Sequence, residues 1–324
     1  MGLMPPAPSP TDEAPALAAV EPALPAERLA DDIDRLPAER FLVESGAYRV
    51  AAATAAELPH LLHEIGRQRE LTFRRVGEGT GKPLDLDVFD QTYDHLICWH
   101  TGERALLGAY RIGRIDELLA RQGRAGVYTA TLFDYREQTL ERLAPALELG
   151  RSFVRQDFQK ASNVLMLLWK GIAQYVLREP RYRRLIGPVS IDRRYRASSL
   201  QLIVGYLGAR HLWPSGATDV RPRTPYQPSD EDALFWMTEG ARLAGLDALQ
   251  RAVSAEEGDG RGVPILIKQY LRLGSEVIGF NVDPDFSDVV DALMLLDLDK
   301  VGEDRLAWFM GREGVDRYRS FEGD

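Results

Sequence analysis

The sequence predicts a mixed α/β fold in which a largely antiparallel central sheet is flanked by helices. Two apolar strands at 95–100 and 106–114 are joined by Thr101-Gly102-Glu103-Arg104, which is a hairpin pattern. A charged strand at 147–154 leads through a short loop into the apolar helix 162–178. Helical periodicity over residues 231–273 then precedes two late strands. This order of elements is typical of a layered α/β domain and not of a doubly wound sheet.

The remaining elements follow from local patterns along the chain. Thr54 is a good N-cap for a helix that extends to about Arg75, and a glycine-rich polar loop comes after that helix. Residues 213–230 are rich in proline and polar residues and are predicted to be a loop. The predicted strands are 48–53, 95–100, 106–114, 147–154, 185–191, 276–280 and 292–298. The predicted helices are 54–75, 133–143, 162–178, 195–207, 232–253, 265–273 and 303–321.

The domain organisation is predicted to be simple. Residues 1–36 are rich in alanine and proline and lack an apolar period. Because proline removes backbone donors and interrupts helices, this segment is predicted to be a disordered tail. Residues 37–324 are predicted to form one domain, with 231–273 as a helical insertion. With 324 residues, of which 45% are hydrophobic, the chain can bury a substantial core.

Composition excludes several classes of protein. The net charge of −9 argues against nucleic-acid binding by the whole surface. Cys98 is the one cysteine, so no intrachain disulfide is expected, and its apolar strand predicts a buried thiol. The five histidines lack metal-ligand spacing, so no metal is expected. No secretory signal and no apolar run of about 20 residues is found. We expect a cytoplasmic protein that can touch the inner face of a membrane without spanning it.

The central strand carries the most informative charges, an acid and a guanidinium at Glu148 and Arg151. In a regular strand these positions face opposite sides, because side chains alternate. We therefore predict a distorted strand near Gly150, which brings the two groups together and frees backbone N–H groups. Glu148 is then the first candidate for an acid/base group. Alternatively, Glu148 and Arg151 form an ion pair that braces the sheet.

Several phrases, in this order, resemble those of GNAT-fold acyltransferases. They are Arg69-Glu70-Leu71-Thr72-Phe73-Arg74, Val76-Gly77-Glu78-Gly79-Thr80-Gly81, Asp85-Leu86-Asp87-Val88-Phe89-Asp90, Glu148-Leu149-Gly150-Arg151, Gly187-Pro188-Val189-Ser190 and Asp283-Pro284-Asp285-Phe286. More narrowly, the chain resembles the N-acyltransferases that make ornithine lipids and related aminolipids, some of which are labelled hemolysins. The resemblance implies transfer of a fatty, in some members 3-hydroxy, acyl group from acyl carrier protein to an amino acid such as ornithine. The product is a lyso-aminolipid.

A more distant resemblance is to acyl-homoserine lactone synthases, which share the fold. The matching positions are Arg69 and Phe73, Asp87 and Asp90, Arg111, and Glu148 and Arg151. The resemblance implies that these residues, with Ser152 and Phe153, serve catalysis and substrate binding. A tryptophan expected between the first two groups is absent. Lactone synthesis is therefore kept as the alternative function, together with a catalytically silent membrane-associated module.

The candidate residues also have plainer interpretations. Asp87 and Asp90 follow the glycine-rich loop and either line a pocket for an ammonium group or cap turns. Arg111 lies in an apolar strand and needs a partner, so it lines the pocket or pairs with one of these aspartates. Arg69 and Phe73 lie on one helix face and either contact substrate or pack in the core.

The donor and its docking surface are predicted from two stretches. CoA-dependent GNAT enzymes carry a glycine-rich turn after the central strand, whereas residues 155–162 contain no glycine. This favours acyl carrier protein, whose acyl-phosphopantetheine is the donor, and no tightly bound cofactor is expected. Residues 178–196 hold seven arginines and two acids, which suits an acidic carrier or a phospholipid surface. The predicted docking residues are Arg181, Arg183, Arg184, Arg193 and Arg194. The alternative is a solvated face; no aromatic platform supports nucleic-acid binding.

Overall fold

The computed structural model describes residues 17–136, 138–159, 163–192, 194–215, 219–228 and 230–321. The strands are β1 (Phe41–Ser45), β2 (Tyr48–Thr54), β3 (Asp94–His100), β4 (Ala105–Arg114), β5 (Phe133–Tyr135), β6 (Ala146–Val154), β7 (Arg184–Ile191), β8 (Val220–Pro222), β9 (Glu276–Asp283) and β10 (Val289–Asp297). The helices are α1 (Ala26–Arg35), α2 (Pro59–Arg75), α3 (Ile115–Gln122), α4 (Thr139–Leu143), α5 (Gln156–Gln159), α6 (Val164–Arg178), α7 (Ala197–Arg210), α8 (Glu231–Arg242), α9 (Leu246–Glu257), α10 (Ile265–Arg272), α11 (Glu303–Met310) and α12 (Arg312–Arg319).

One sheet organises the described residues, with strand order β1-β2-β3-β4-β6-β7-β10-β9. Its neighbouring strands are antiparallel, except that β6 and β7 are parallel. The short strands β5 and β8 pair separately. The predicted α/β fold with a largely antiparallel sheet is thereby confirmed. Within the described ranges, every helix is too short or too polar to cross a bilayer.

Helices cover both faces of this sheet because its strands alternate between two apolar layers. On β3, Leu96 and Cys98 pack in the layer that contains α6, whereas Ile97 and Trp99 pack in the layer of α1 and α2. Each such side chain contributes about 1.5–3 kcal/mol when fully buried. The Cys98 thiol is buried as predicted, and burial raises its pKa to about 12.

The prediction of a disordered tail over residues 1–36 is wrong for the second half of that segment. Residues 1–16 lie outside the described residues, but α1 is a regular helix that buries Leu29 and Ile33 against α2. The Asp32 carboxylate accepts the backbone N–H groups of His60 and Leu61 at 2.7 and 2.8 Å, at the start of α2. The packing of this helix depends on three apolar positions within five residues. This signal is short, and the surrounding prolines favoured the prediction of a disordered tail.

Other differences concern short or broken elements. The predicted helix 133–143 is β5 followed by α4, and the predicted helix 232–253 is divided into α8 and α9. The predicted helix 303–321 breaks at Gly311, whose φ of 76° ends α11 in a left-handed conformation. Thr54 caps a short turn at Ala55–Glu57 by a capping box with Glu57, and α2 begins after it. Strands β1, β5 and β8 were not predicted.

The feature that creates space in the sheet is the parting of β6 and β7. They pair only where residues 146–148 meet residues 184–186. Beyond this point β6 follows β4 to Val154 and β7 follows β10 to Ile191, so a cleft opens between them. Gly187 stands where the strands separate, and a Cβ atom there would lie 2.0 Å from the Leu149 carbonyl oxygen. Only glycine allows this approach.

Candidate active site

The central strand is irregular where the sequence predicted it. The pairing of β6 with β4 shifts between Ala109, which faces Phe153, and Arg111, which faces Gly150, so β6 carries one extra residue. Arg151 has a φ of 48°, which is rare for a residue other than glycine. The predicted distortion near Gly150 is confirmed, and Arg151 lines the cleft.

Two adjoining cavities fill the cleft. The first, of about 200 Å³, is lined by both charged and apolar side chains and is called the polar cavity, whereas the second, of about 550 Å³, is mainly apolar. The polar cavity is lined by, among others, Glu78, Tyr128, Arg151, Ser190, Asp283 and Asp291. The apolar cavity is lined by, among others, Thr72, Val76, Tyr110, Phe153, Val154 and Leu165. Both share Phe73, Glu78, Ser152, Ile265 and Leu266. The shared residues mark the junction between a charged and an apolar compartment.

Glu78 is the acid at this junction. Its side chain is 7% exposed, and among the described residues none donates a hydrogen bond to its carboxylate. Burial, helped by the nearby Asp192 and Asp291, raises the pKa of Glu78 to about 8. A carboxylate with such a pKa can take and return a proton near neutral pH.

The loop that carries Glu78, residues 76–83, is held in place from one side by α2. The backbone N–H of Glu78 donates to the Phe73 carbonyl at 2.9 Å. The Glu70 carboxylate accepts the N–H groups of Thr80 and Gly81 at 3.1 and 2.8 Å. It also accepts the Thr80 hydroxyl at 2.7 Å. A buried acid on the helix therefore fixes the base-bearing loop.

The N-terminal arm, residues 17–25, holds the same loop from the other side. Ala18 and Glu21 donate backbone N–H groups to the carbonyls of Gly81 and Pro83 at 3.0 and 3.1 Å. The Arg74 guanidinium joins the two segments, because it donates to the carbonyls of Ala18 and Lys82 at 2.7 and 2.8 Å. The loop is therefore held between α2 and the N-terminal arm, and we refer to the contacts between arm and loop as the clasp.

Two further acids, Asp283 and Asp291, line the polar cavity from β9 and β10. Asp291 accepts the Ser190 hydroxyl at 2.8 Å, and its pKa is raised to about 7 by burial and by Asp283. Burial likewise raises the pKa of Asp283. The polar cavity thus concentrates acids whose charged forms are poorly compensated, which suits a cationic ligand.

Arg151 supplies the opposite charge in this cavity. Its guanidinium lies 4.5 and 5.4 Å from the ring centres of Phe286 and Tyr128. The carboxylates of Asp85 and Asp87 are 3.7 and 3.8 Å away, beyond hydrogen-bond length. Within the described ranges the Nε–H, which faces Asp85, makes no hydrogen bond. A guanidinium that lines a cavity and is held by aromatic rings can bind a carboxylate.

Four residues expected to line the site instead form an ion-pair network behind it. Arg69 contacts Asp90 at 2.7 Å, and Arg111 contacts Asp87 and Asp90 at 2.6 and 3.4 Å. Burial opposes ionisation of Asp90, but the two guanidinium groups outweigh it and hold its pKa well below the usual range. Asp87 also caps a short turn at Val88–Gln91. None of these four side chains lines either described cavity.

Glu148 is also withdrawn from the cleft. It is 1% exposed and accepts the backbone N–H groups of Tyr128 and Thr129 at 2.9 and 2.7 Å, and the Tyr93 hydroxyl. In the part of the chain that the structure describes, it forms no ion pair with Arg151. The bulge turns Arg151 away, while Glu148 keeps regular pairing with β4 and β7. Glu148 instead fixes the backbone that carries the Tyr128 ring.

The predicted contacts Phe73, Ser152 and Phe153 do line the cleft. Glu78, Asp283 and Asp291 were missed as site residues. Glu78 and Asp283 lie within phrases that carry the family resemblance, so a signal existed. For Asp291 the available signal was an acid at the start of an apolar strand, where a charge requires a reason.

The predicted docking arginines do not form one surface. Arg181 pairs with Asp116 and Glu117, Arg183 pairs with Asp299, and Arg184 donates to two backbone carbonyls. These three lie at the start of β7, whereas Arg194 lies beyond its end and pairs with Asp192. Arg193 lies outside the described residues. Because β7 has eight residues, its two ends lie about 23 Å apart.

Comparison with known proteins shows which family the chain belongs to. A family model described as an acetyltransferase (GNAT) domain matches residues 68–170, which include the Glu78 loop and β6. An L-ornithine N(alpha)-acyltransferase of Rhodobacter capsulatus is 31% identical over 238 residues, covering 71% of this chain and 80% of that protein. The chain belongs to the GNAT-type N-acyltransferases. The protein is therefore an acyltransferase.

Another relative is named for a different acceptor. A glycine N(alpha)-acyltransferase of Phocaeicola vulgatus is 28% identical over 269 residues, covering 78% of this chain and 80% of that protein. Among solved structures, the CoA-dependent acyl-homoserine lactone synthase MesI is 12% identical with a TM-score of 0.35, covering 85% of this chain and 97% of that one. An uncharacterized protein from Bacillus halodurans is 10% identical with a TM-score of 0.38, covering 82% and 91%.

Proposed function

We propose that this N-acyltransferase moves a fatty acyl group from the phosphopantetheine thioester of an acyl carrier protein to the α-amino group of an amino acid. The product is a lyso-aminolipid. The observation that carries the proposal is Glu78, a carboxylate with its pKa raised to about 8 at the junction of the polar and apolar cavities. Amide formation needs a base where the amine meets the thioester, and this junction suits that role.

The polar cavity suits an amino acid as acceptor. The Arg151 guanidinium, which lines this cavity, can bind the α-carboxylate, which leaves the α-amine directed toward Glu78. Asp283 and Asp291 can then hold a second ammonium group. Relatives are named for ornithine and for glycine. A diamino acid such as ornithine is favoured, because glycine has no second ammonium group to place beside the two aspartates.

The reaction follows from these positions. The neutral amine nitrogen attacks the thioester carbon, and Glu78 takes a proton from that nitrogen as the carbon–nitrogen bond forms. The Ser152 hydroxyl, which lines both cavities, can donate to the carbonyl oxygen as negative charge develops there. The carbon–sulfur bond then breaks, an amide forms, and the leaving thiolate takes the proton back from Glu78. Amide and free thiol are the products, and the base is restored.

The donor side is supported by the shape of the second cavity. Its 550 Å³ of mainly apolar space suits a long acyl chain, with or without a 3-hydroxyl group. The short helix α5 follows β6, and the sequence of residues 155–162 contains no glycine. A CoA pyrophosphate would therefore lack its usual cradle of backbone N–H groups, whereas a carrier-borne arm does not need one.

We also propose that the enzyme works at the inner face of a membrane, where its product would partition. Leu234 and Phe235 on α8 are 58% and 55% exposed, which is unusual for adjacent large apolar side chains. Sedimentation with lipid vesicles tests this contact. A double Leu234→Ser and Phe235→Ser variant should sediment less than the wild type, and equal sedimentation would contradict it.

The enzymatic proposal is tested with purified protein, acyl carrier thioesters of several chain lengths, the matching CoA thioesters and a panel of amino acids. Thiol release and amide mass are followed by mass spectrometry. We expect amide formation from carrier thioesters, with ornithine preferred to glycine. A preference for CoA thioesters would refute the donor. Failure to acylate any amino acid would refute the acceptor.

A further inference from the structure

The mouth of the apolar cavity carries cations that the proposed chemistry does not use. Arg75 precedes Val76 at the end of α2, and Arg155 follows Val154 at the end of β6; both valines line the cavity. Arg155 and, from farther away, Arg75 lower the pKa of Asp157 on α5. The two arginines therefore converge on one point, although they come from separate elements.

Helix α10 brings two more cations to this mouth. Ile265, which lines the cavity and is 53% exposed, is followed by Lys268 and Arg272 at spacings of three and four. Such spacing places all three on one side of the helix. Burial and the charge of Arg272 lower the pKa of Lys268, so the two cations are close together. In the described part of the chain, neither has an acidic partner.

These residues form a local excess of positive charge. We refer to Arg75, Arg155, Lys268 and Arg272 as the mouth cations. One acid, Asp157, pairs with one of them, Arg155. The chain as a whole has a net charge of −9, so the sign of the surface is inverted where the acyl group must enter. An inverted patch of this kind attracts partners of opposite charge and raises the rate of productive encounter.

We infer that the mouth cations are the docking surface for the acyl carrier, an acidic protein whose phosphopantetheine phosphate lies among them. The inference rests on the proposed carrier donor. Charge complementarity selects this occupant, because Arg75 and Arg155 adjoin lining residues of the apolar cavity and Lys268 lies one helical turn from another. The arginines at the start of β7 fit less well, since they are paired and lie about 23 Å along the strand from the end that borders the cleft.

The test compares two thioester donors with the full-length enzyme. Acyl carrier protein brings an acidic surface and a phosphate, whereas acyl-pantetheine brings neither. In the double variant Arg75→Glu and Lys268→Glu, we expect KM for the carrier thioester to rise about tenfold or more, with kcat unchanged. The effect should shrink at high ionic strength. Turnover of acyl-pantetheine should stay at the wild-type value, which shows that the variant is folded.

A matched control changes the same charge elsewhere. Arg181→Glu with Arg184→Glu alters the start of β7 and should leave KM for the carrier thioester unchanged. The inference is overturned if the mouth variant keeps the wild-type KM, or if the control pair raises KM as much. It is also overturned if the mouth variant loses binding to anionic vesicles while KM is unchanged, because the cations would then contact lipid. If the wild type ignores carrier thioesters but uses CoA thioesters, the proposed donor fails as well.

Discussion

Two groups of acids lie close to the same central strand and differ in their partners. Asp90 is 1% exposed and sits between Arg69 and Arg111, so its pKa is held well below the usual range. Glu78 is 7% exposed, and burial, with the charges of Asp192 and Asp291, raises its pKa to about 8. Burial opposes ionisation in both cases. The partners decide whether a buried acid braces the fold or remains available for chemistry.

This comparison explains why the charged motifs were only partly informative. The sequence pattern placed the acids and arginines of the ion-pair network in the site, because their spacing resembles that of related enzymes. Side chains that neutralise one another have little capacity left for a substrate. The acids without such partners define the cleft, and their chemistry depends on remaining unpaired until a ligand binds.

The largest expected effect comes from breaking the ion-pair network. Asp90→Asn leaves Arg69 and Arg111 without full compensation and should lower the free energy of unfolding by about 3–5 kcal/mol. Urea unfolding followed by circular dichroism measures this loss. Asp87→Asn is the matched control and should cost less, because Asp87 is 25% exposed. Equal stability of the Asp90→Asn variant and the wild type would show that the comparison is wrong.

Glu78→Gln should lower activity without lowering stability, which is the opposite of what is expected for Asp90→Asn. Loss of a general base is expected to lower kcat by about a hundredfold. Stability at neutral pH should not fall, since Glu78, with its pKa raised to about 8, is mostly protonated there and glutamine is a neutral side chain of the same size. Steady-state kinetics and thermal unfolding are measured on the same preparation. Glu44→Gln, at an exposed position of β1, makes the same chemical change and should leave kcat unaltered. Full turnover by the Glu78→Gln enzyme would show that another group acts as the base.

Arg151→Gln tests the cation of the cleft in the same way. A charged hydrogen bond to substrate contributes about 1.5–3 kcal/mol, so KM for the amino acid should rise by about ten- to a hundredfold. An amine that lacks the α-carboxylate provides the control, because it cannot use Arg151 in either enzyme. If KM for both acceptors rises equally, Arg151 shapes the cavity and does not bind the carboxylate.

The smallest effects are on pH dependence. Activity should increase with pH and level off above a midpoint near 8, where Glu78 loses its proton. The raised pKa also has a consequence for stability. Protonated Glu78 favours the folded state below pH 4.5, and this contribution is lost as pH rises through about 8. Glu78→Gln should therefore gain stability relative to the wild type in alkaline buffer, and parallel stability curves for both proteins would argue against the shift.

The sequence anticipated the parts of the molecule that depend on local patterns. The apolar strands and the hairpin pattern predicted the sheet. The opposite faces that residues 148 and 151 would have in a regular strand predicted the bulge. Contacts between distant segments were not accessible in this way. The Asp283 and Asp291 pair forms only because β9 lies beside β10 at the border of the cleft, and α1 is stable only because it packs on α2.

The clasp between the N-terminal arm and the Glu78 loop has a consequence for evolution. The arm itself contributes backbone N–H and carbonyl groups to the contacts that hold the loop. Almost any residue apart from proline could stand at Ala18 or Glu21 and donate the same hydrogen bonds. Mutations can therefore accumulate in this stretch while its path is preserved, so homologous enzymes could retain the clasp where their sequences no longer align.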